Sequence, residues 1–337
     1  MKQQYSNNRR LALSAGFASI ILALAACGGT AAPQTAGVKK TVEVQGAIPE
    51  PANPSSVKEY TTLEGIKAFE PASSLVPKDL REKGVLVLGV DPAGGAPTSF
   101  SGSDGATFVG LDADIARALG RVLDIQIAFK GSTFDALIPG LQAKRFDAVI
   151  ADMGVTVDRL KVIDMVGYAR GGHGIATKPG NPLNIGENSM CGRKVAVTLA
   201  STQAVIKGPA YSAECVTRGA APINLVTVPN QQEALLQVKS GQVDAGFMDG
   251  PAVAWAAEEN PNDIHLAATI TGSILSMGLP HDGELTPAFV QAIKHLATLP
   301  EYSEIAKKWG MKYAELDPEY LDSYQTPPTP PAPRPAS

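Results

Sequence analysis

The chain has few cysteines, histidines and aromatic residues, and no excess of positive charge. Its 337 residues include three cysteines and four histidines, and aromatic residues make up 6%. The histidines show no spacing to each other or to cysteine that is typical of metal ligands, so we expect no metal site and no cofactor. The net charge of -4 argues against nucleic acid as a partner.

Long apolar runs are also lacking. The longest, residues 11–26, is interrupted by serine and glycine and falls short of the roughly 20 apolar residues of a spanning helix. It follows Arg9 and Arg10 and ends in Leu-Ala-Ala-Cys at 24–27, which is typical of a lipoprotein signal.

This beginning predicts export and lipidation. We expect a signal peptide over residues 1–26 and a mature chain that starts at Cys27. Acyl chains on Cys27, palmitate among them, would anchor the protein to a membrane, in the periplasm or at the outer face of the cytoplasmic membrane. The signal contains three of the cations and no acidic residue, so the mature chain carries a charge of -7. The alternative is an ordinary signal cut near Ala26.

Two cysteines remain after lipidation, Cys191 and Cys215. Exported proteins usually pair such thiols, so we predict a disulfide between them. Two free, buried cysteines are the alternative.

Both ends of the mature chain have the composition of unpacked segments. Residues 27–57 are small, polar and rich in proline, which predicts a flexible stalk. Residues 326–337 contain six prolines and predict an extended tail.

Strand and helix patterns alternate twice between these segments. The first series has strands over 85–90, 125–129 and 148–151 and helices over 112–123 and 134–142. The second has strands over 195–198, 223–228 and 243–248, a helix that begins at Ser201 and a helix over 231–238. This alternation predicts two similar α/β lobes with mainly parallel sheets.

A short repeat closes each series. Phe-Asp-Ala at 146–148 leads to Asp152, and Val-Asp-Ala at 243–245 leads by the same spacing to Asp249. Because ligands bind beyond the carboxyl ends of strands in open α/β sheets, the repeat predicts both carboxylates at the walls of a shared cleft. Each could instead be a helix cap or turn residue.

Six stretches are the most specific signal in the chain. They are GVLVLGVD at 84–91, GLDAD at 110–114, FDALIPGL at 134–141, TVDR at 156–159, ASTQ at 200–203 and GQVDA at 241–245 with Asp249 after it. In this order and spacing they resemble the amino-acid-binding class of extracytoplasmic solute-binding proteins of ABC importers. The resemblance runs from about Gly84 to Trp309.

The resemblance implies a two-lobe periplasmic-binding-protein fold of type II, with a two-segment hinge. Lobe 1 would contain residues 58–175 and 273–325, and lobe 2 residues 176–272. The hinge crossings would lie near 174–177 and 268–272. Closure around a ligand would then be recognised by a permease with its ATPase, and we expect the binding protein to be a monomer.

The resemblance also implies the part of the site that holds the ligand carboxylate. Arg159 would bind it with two parallel donors, helped by backbone amides of the turn from Gly154 to Thr156. The alternative for Arg159 is a surface ion pair with Asp158 or Asp164.

Lobe 2 would complete this site. The helix that begins at Ser201 and Thr202 would offer free amides and the positive end of its dipole to the carboxylate, although these residues could be a plain helix cap. By the same resemblance, Asp249 would accept from the ligand ammonium.

Departures from the family pattern bear on the ligand. The run that ends at Phe100 lacks the aromatic residue that many relatives stack on the ligand, and Asp152 stands where relatives usually have glycine or serine. Asp91 corresponds to a position that senses the side chain in basic-amino-acid binders. These residues favour a polar or cationic amino acid.

The resemblance thus implies a protein that captures a free amino acid and delivers it to a permease. A cyclohexadienyl dehydratase-like enzyme on the same fold and a ligand-sensing subunit of a signalling receptor are the alternatives. The chain has no Gly-x-Ser-x-Gly elbow, no candidate catalytic cysteine and no histidine in the six stretches. We therefore predict a binding protein and not an enzyme.

Overall fold

The computed structural model describes residues 41–311 and 314–329. The signal peptide, the lipidation site at Cys27 and the end of the tail therefore lie outside the described residues. Within them, no helix combines the length and the apolar character that crossing a bilayer requires.

Eight strands form one sheet, and two short strands form a hairpin. The strands are β1 (Val85–Val90), β2 (Phe100–Ser101), β3 (Phe108–Val109), β4 (Gln126–Gly131), β5 (Ala148–Gly154), β6 (Ile163–Thr177), β7 (Lys194–Thr198), β8 (Asn224–Val228), β9 (Ala245–Asp249) and β10 (His265–Pro280). The order in the large sheet is β4-β1-β5-β10-β6-β9-β7-β8, and β2 pairs with β3.

Helices cover both faces of this sheet. They are α1 (Glu70–Ser73), α2 (Lys78–Lys83), α3 (Leu111–Val122), α4 (Phe134–Gln142), α5 (Val157–Leu160), α6 (Gly208–Thr217), α7 (Gln231–Ser240), α8 (Gly250–Glu259), α9 (Thr286–Leu296) and α10 (Pro300–Lys308), with a π-helical turn at Gln203–Lys207 and 3-10 turns at Pro54–Ser56 and Pro318–Tyr320. Local sequence sets their ends: the Asn230 side chain accepts from the backbone of Glu233 at the start of α7, and Gly241, with a φ of 77°, ends that helix.

Each half of the sheet has its own parallel core. In lobe 1, β1 pairs in parallel with β4 and β5, and in lobe 2, β7 pairs in parallel with β8 and β9. Strand β7 shows why both faces are covered: Val195 and Val197 pack in one apolar cluster and Ala196 in another. The expected two-lobe α/β fold is confirmed.

The sequence patterns did not reveal β6 and β10, which join the lobes. These long strands pair antiparallel along their length, β10 pairing with β5 in lobe 1 and β6 with β9 in lobe 2. Their mutual register shifts at three places, one of them between Thr271 and Ser273, where Gly272 has a φ of 98°. The lobe boundaries given above stay predictions, since the sheet continues through both strands.

The segment before lobe 1 differs from the predicted stalk. From Val42 onward the chain lies against β4: Gln126 exchanges two hydrogen bonds with the Val42 backbone, at 2.8 and 2.9 Å, and the Ile48 amide donates to the Phe129 carbonyl at 2.7 Å. The physical reason is that β4 is the edge strand of the sheet and offers unpaired backbone groups. Residues 41–57 are thus part of the fold rather than a flexible stalk.

The predicted disulfide between Cys191 and Cys215 is present, with a Cα separation of 5.5 Å. It connects the segment before β7 to α6 at the apolar core of lobe 2.

Candidate ligand-binding site

A cleft between the lobes encloses about 480 Å³, counting the space at its mouth. Lobe 1 lines it with Asp91, Gly94, Thr98, Ser99, Phe134, Ala151 and Asp152. Lobe 2 lines it with Thr198, Ser201, Thr202, Gln203, Gln231, Met248 and Asp249. Three of these residues carry carboxylates, so the cleft is acidic.

Asp249 ends β9, and two glutamine amides fix its carboxylate. Gln203 donates to Oδ1 at 2.8 Å and Gln231, the first residue of α7, donates to Oδ2 at 2.6 Å. The Asp249 backbone amide donates back to the Gln231 oxygen at 3.1 Å. Burial raises the pKa of Asp249 to about 6, although both amides and the Arg159 charge lower it.

His173 stands behind this arrangement, on β6. Its Nδ1 lies 3.1 Å from Gln203 Nε2, the atom that also donates to Asp249. Burial lowers the pKa of His173 to about 4, with help from the Lys207 charge, so the imidazole is neutral at pH 7.

Asp152 is held differently. Its backbone has a φ of 53°, and both of its carboxylate oxygens are buried without a hydrogen-bond partner among the described residues. Burial raises the pKa of Asp152 well above its usual value, and the charges of Asp249 and Asp112 raise it further. The Thr98 hydroxyl acts in the opposite direction, although the hydrogen bond that it donates goes to the Gly95 carbonyl.

A buried group from α3 lies behind Asp152. The Asp112 carboxylate accepts from the hydroxyls of Ser99 and Tyr168, each at 2.5 Å, and the Tyr168 hydroxyl accepts from the Asp152 backbone amide at 3.2 Å. Burial raises the pKa of Asp112 to about 6, despite these hydrogen bonds. The network holds the backbone of Asp152 but donates no hydrogen bond to its carboxylate.

Asp91 follows the last residue of β1 and adds a third acidic group to the cleft. Its Oδ1 accepts from the Ala93 amide at 3.0 Å. Burial raises the pKa of Asp91 to about 6, and the charge of Asp135 raises it further.

Arg159 bridges the two lobes. The Thr156 hydroxyl caps α5 by accepting from the Arg159 amide at 3.2 Å, which places the side chain. The guanidinium donates to the Gly154 carbonyl of lobe 1 at 2.6 Å and to the Ala200 carbonyl of lobe 2 at 2.9 Å, and lies 5.3 Å from the Phe134 ring centre. Burial lowers the pKa of Arg159 to about 10, so it stays charged at pH 7.

The structure brings five of the residues named from the sequence to the cleft wall. They are Asp91, Asp152, Ser201, Thr202 and Asp249. Four others do not line it: Phe100 packs edge-on against Trp309, Thr156 caps α5, Arg159 bridges the lobes, and Gly154 sits where a Cβ would come within 2.9 Å of the Thr202 hydroxyl.

Sequence reasoning missed the glutamines and the histidine. Gln203 directly follows Ser201 and Thr202, and Gln231 opens a helix just after a lobe 2 strand. Their positions at the carboxyl ends of strands were the available signal. His173 had none, because it lies in the glycine-rich β6.

Outside the cleft, the described residues contain one group with the composition of a metal site. The ligand atoms of Asp164, His281 and Asp282 lie within 4.8 Å of one another. His281 and Asp282 are exposed, and His281 Nδ1 lies 3.2 Å from Asp164 Oδ1, as in an ion pair. We assign no metal to it.

Comparisons with known proteins agree with this geometry. A profile of the bacterial extracellular solute-binding proteins, family 3, matches residues 86–312. The chain is 28% identical over 248 residues to the arginine-binding protein ArgT of Corynebacterium glutamicum, covering 72% of this chain and 80% of that one. It is 29% identical over 265 residues to the lysine/arginine/ornithine-binding periplasmic protein of Escherichia coli K12, covering 75% and 96%.

A solved structure extends the likeness to three dimensions. The ancestral amino acid-binding protein AncCDT-1, described as a precursor of cyclohexadienyl dehydratase, superposes with a TM-score of 0.59 at 27% identity, covering 70% of this chain and 99% of the other. Because the family profile spans more than half of the sequence, the chain belongs to the bacterial extracellular solute-binding proteins of family 3.

Proposed function

We propose that this protein is the binding component of an ABC importer and that it captures an amino acid with a cationic side chain. The observation that carries the choice of ligand is Asp152, a buried carboxylate in the cleft wall without a hydrogen-bond partner among the described residues. A buried carboxylate without a partner is costly, and a ligand cation removes that cost.

The α-amino acid core would occupy the groups between the lobes. Asp249 accepts from the ligand ammonium, its carboxylate being held in place by two amides. Arg159 lies beside the cleft lining, where the lobes meet. Two of its five donors go to backbone carbonyls, and the others would reach the ligand carboxylate. Ser201 and Thr202 add polar groups from lobe 2.

Charge then selects the side chain. A zwitterion brings one ammonium for Asp249 and one carboxylate for Arg159, so the acidic groups of lobe 1 stay without a counter-charge. A second positive charge on the ligand would give these acidic groups, Asp152 first among them, a counter-charge. The names of the arginine-binding and the lysine/arginine/ornithine-binding relatives support this choice.

The setting of this function is a further part of the proposal. We propose that Cys27 carries the lipid anchor, that the protein acts in the cell envelope as a monomer, and that a permease with its ATPase receives the ligand. Closure is the signal, because Arg159 contacts both lobes only when they meet.

A dehydratase-like enzyme is the second candidate, favoured by the likeness to AncCDT-1. That protein is itself called amino acid-binding, and the carboxylates here are placed to balance charge. Catalysis would require turnover of prephenate.

Thermal unfolding tests the proposal. The protein is stripped of ligand by unfolding and refolding and heated with arginine, lysine, ornithine, histidine, glutamine, glutamate, leucine or prephenate. A ligand at one hundred times its dissociation constant stabilises the native state by about 2.7 kcal/mol. We expect a raised midpoint with arginine, lysine or ornithine. A response to glutamate or leucine alone would refute the cationic ligand, and prephenate turnover would support the enzyme.

A further inference from the structure

The Gln203 side chain is a link between a histidine and the site. It is 2% exposed and contacts His173 of β6 and Asp249 of β9. Its Nε2 makes two contacts, at 2.8 Å to Asp249 Oδ1 and at 3.1 Å to His173 Nδ1. One nitrogen of one amide therefore faces both the Asp249 carboxylate and the imidazole.

The Asp249 carboxylate and His173 together set the orientation of this amide. The other amide on Asp249, that of Gln231, is set by the backbone, because the Asp249 N–H donates to its oxygen at 3.1 Å. For Gln203, the side-chain hydrogen bonds within the described part of the chain go to His173 and Asp249 only. A flipped Gln203 would turn its oxygen toward the lone pair of His173 Nδ1 and toward the Asp249 carboxylate, which is repulsive at both ends.

The tautomer follows from the same contacts. Nδ1 can accept from Gln203 only if the proton of the neutral ring is on Nε2. His173 is 4% exposed and packs edge-on against the Phe247 ring, with centres 5.7 Å apart, so the ring has little freedom to turn.

We propose that His173 is a positioning residue for ligand binding: by accepting from Gln203 through Nδ1, it holds that amide as a donor to Asp249 and so fixes the carboxylate that receives the ligand ammonium. The inference rests on the proposed function, in which Asp249 has that role. His173 touches no ligand itself and acts through Gln203.

The position of His173 in the fold gives this contact further weight. It is the β6 residue that pairs with Asp249 in the sheet, and it pairs with Ile270 of β10 on its other side. Backbone pairing thus fixes the distance between His173 and Asp249, and the Gln203 amide contacts both side chains.

Two ligands separate this role from a merely structural one. Arginine has the α-ammonium that Asp249 would accept from, and 5-guanidinopentanoate is the same molecule without the α-amino group. Dissociation constants for both are measured by calorimetry on the full protein and on His173→Leu and His173→Asn. Asparagine places Oδ1 where Nδ1 lies, so it keeps the acceptor, and leucine removes it.

We expect His173→Leu to lower the affinity for arginine about tenfold, as for a lost hydrogen bond to a charged group. The affinity for 5-guanidinopentanoate should stay unchanged. His173→Asn should bind arginine within about threefold of the parent. Equal arginine affinity in His173→Leu and the parent would overturn the proposal, as would an equal loss for both ligands.

Gln203→Met gives a second path if the leucine variant folds poorly. It removes the amide with His173 intact, and we expect the same selective loss for arginine. The double variant should lose no more than either single variant, since both act on one link; additive losses would refute the link. His265→Leu, an exposed strand histidine of lobe 2, is the matched control. An unchanged protein that binds no amino acid would refute the proposed function itself and not this link alone.

Discussion

In lobe 2, Asp249 accepts hydrogen bonds from Gln203 and Gln231, whereas in lobe 1 neither carboxylate oxygen of Asp152 accepts one from the described residues. Both residues stand at the same position after a short sequence repeat, Asp152 within β5 and Asp249 at the end of β9. The satisfied carboxylate is suited to the ammonium that every α-amino acid carries. The unsatisfied one is suited to a charge that only some amino acids carry.

The two carboxylates also differ in what stands behind them. Asp249 is backed by amides and a neutral imidazole, which fix the acceptor itself. Asp152 is backed by Asp112 and Tyr168, which fix only its backbone. We therefore expect lobe 2 to recognise the ammonium that all α-amino acids share, and lobe 1 to select among their side chains.

Asp249→Asn should have the largest effect. The new amide would direct N–H groups toward the donors of Gln203 or Gln231, and the negative charge that attracts the ligand ammonium would be lost. We expect the affinity for arginine, and for any neutral amino acid that the protein binds, to fall about 100-fold or more. Calorimetry measures both affinities. Asp263→Asn, which breaks a surface ion pair with Lys239 in the same lobe, should change neither affinity. A loss confined to arginine would contradict the shared role of Asp249.

Acidification should weaken arginine binding because carboxylates on both sides of the cleft become protonated. The pKa values of Asp91 and Asp249 are about 6, so between pH 7.5 and pH 5 both carboxylates take up protons and lose attraction for a cation. For each group that must be ionised, the affinity falls about tenfold at one pH unit below its pKa. Calorimetry between pH 7.5 and pH 5 measures the affinity for arginine. An affinity that stays constant or rises on acidification would contradict the proposed role of these carboxylates.

The ligand-free protein should respond in the opposite direction. Asp91, Asp112 and Asp249 have folded-state pKa values of about 6, above those of free carboxyls, so the folded state binds more protons between about pH 4 and pH 6. Its free energy of unfolding therefore falls as pH rises through this range. His173, with a pKa of about 4, opposes this trend, as do Glu59 and Asp104, whose pKa values are lowered by hydrogen bonds from Ser103 and Thr107, whereas the raised pKa of Asp152 adds to it. Unfolding midpoints from pH 4 to pH 7 measure the balance.

Asp152→Asn should stabilise the ligand-free protein at pH 7. It removes a buried carboxylate that accepts no hydrogen bond from residues 41–311 or 314–329, at a φ of 53° that asparagine tolerates. We expect a gain of about 1 kcal/mol in the free energy of unfolding. Denaturant unfolding measures it. Asp249→Asn is the contrast, because it loses hydrogen bonds and should destabilise. Stabilisation by both substitutions would remove the difference between the two lobes.

Ser99→Ala should have the smallest effect. It deletes one of the two hydroxyls on Asp112 and loosens the support of Asp152 without touching Asp249. We expect the affinity for arginine to fall about threefold, consistent with the loss of one hydrogen bond of about 0.7 kcal/mol. Ser103→Ala, which removes an exposed hydroxyl bonded to Glu59, is the control. A loss as large as that of Asp249→Asn would assign Ser99 a direct role.

The sequence was sufficient for the elements with clear apolar periodicity. The strand over 85–90 and the helix over 134–142 match β1 and α4 residue for residue, and the repeat led to both Asp152 and Asp249. These signals are local, since a buried strand or an amphipathic helix repeats its pattern every few residues.

What the sequence concealed depends on contacts between distant segments. Strand β6 contains four glycines and no simple alternation, so its pairing with β10 carries no local signal. The packing of residues 41–57 requires knowing that β4 is an edge strand. The link from His173 to Gln203 spans 30 positions in sequence and arises only when β6 and the π-helical turn meet.

The most direct test of the account compares arginine with citrulline, which replaces the cationic guanidinium by a neutral urea of the same shape. Calorimetry on the unchanged protein should show arginine binding about 100-fold more tightly, as for a buried charge-assisted contact, and Asp152→Asn should reduce that ratio to within a few fold. Equal affinities for the two ligands in the unchanged protein, or a ratio that Asp152→Asn leaves intact, would contradict selection by the lobe 1 carboxylate.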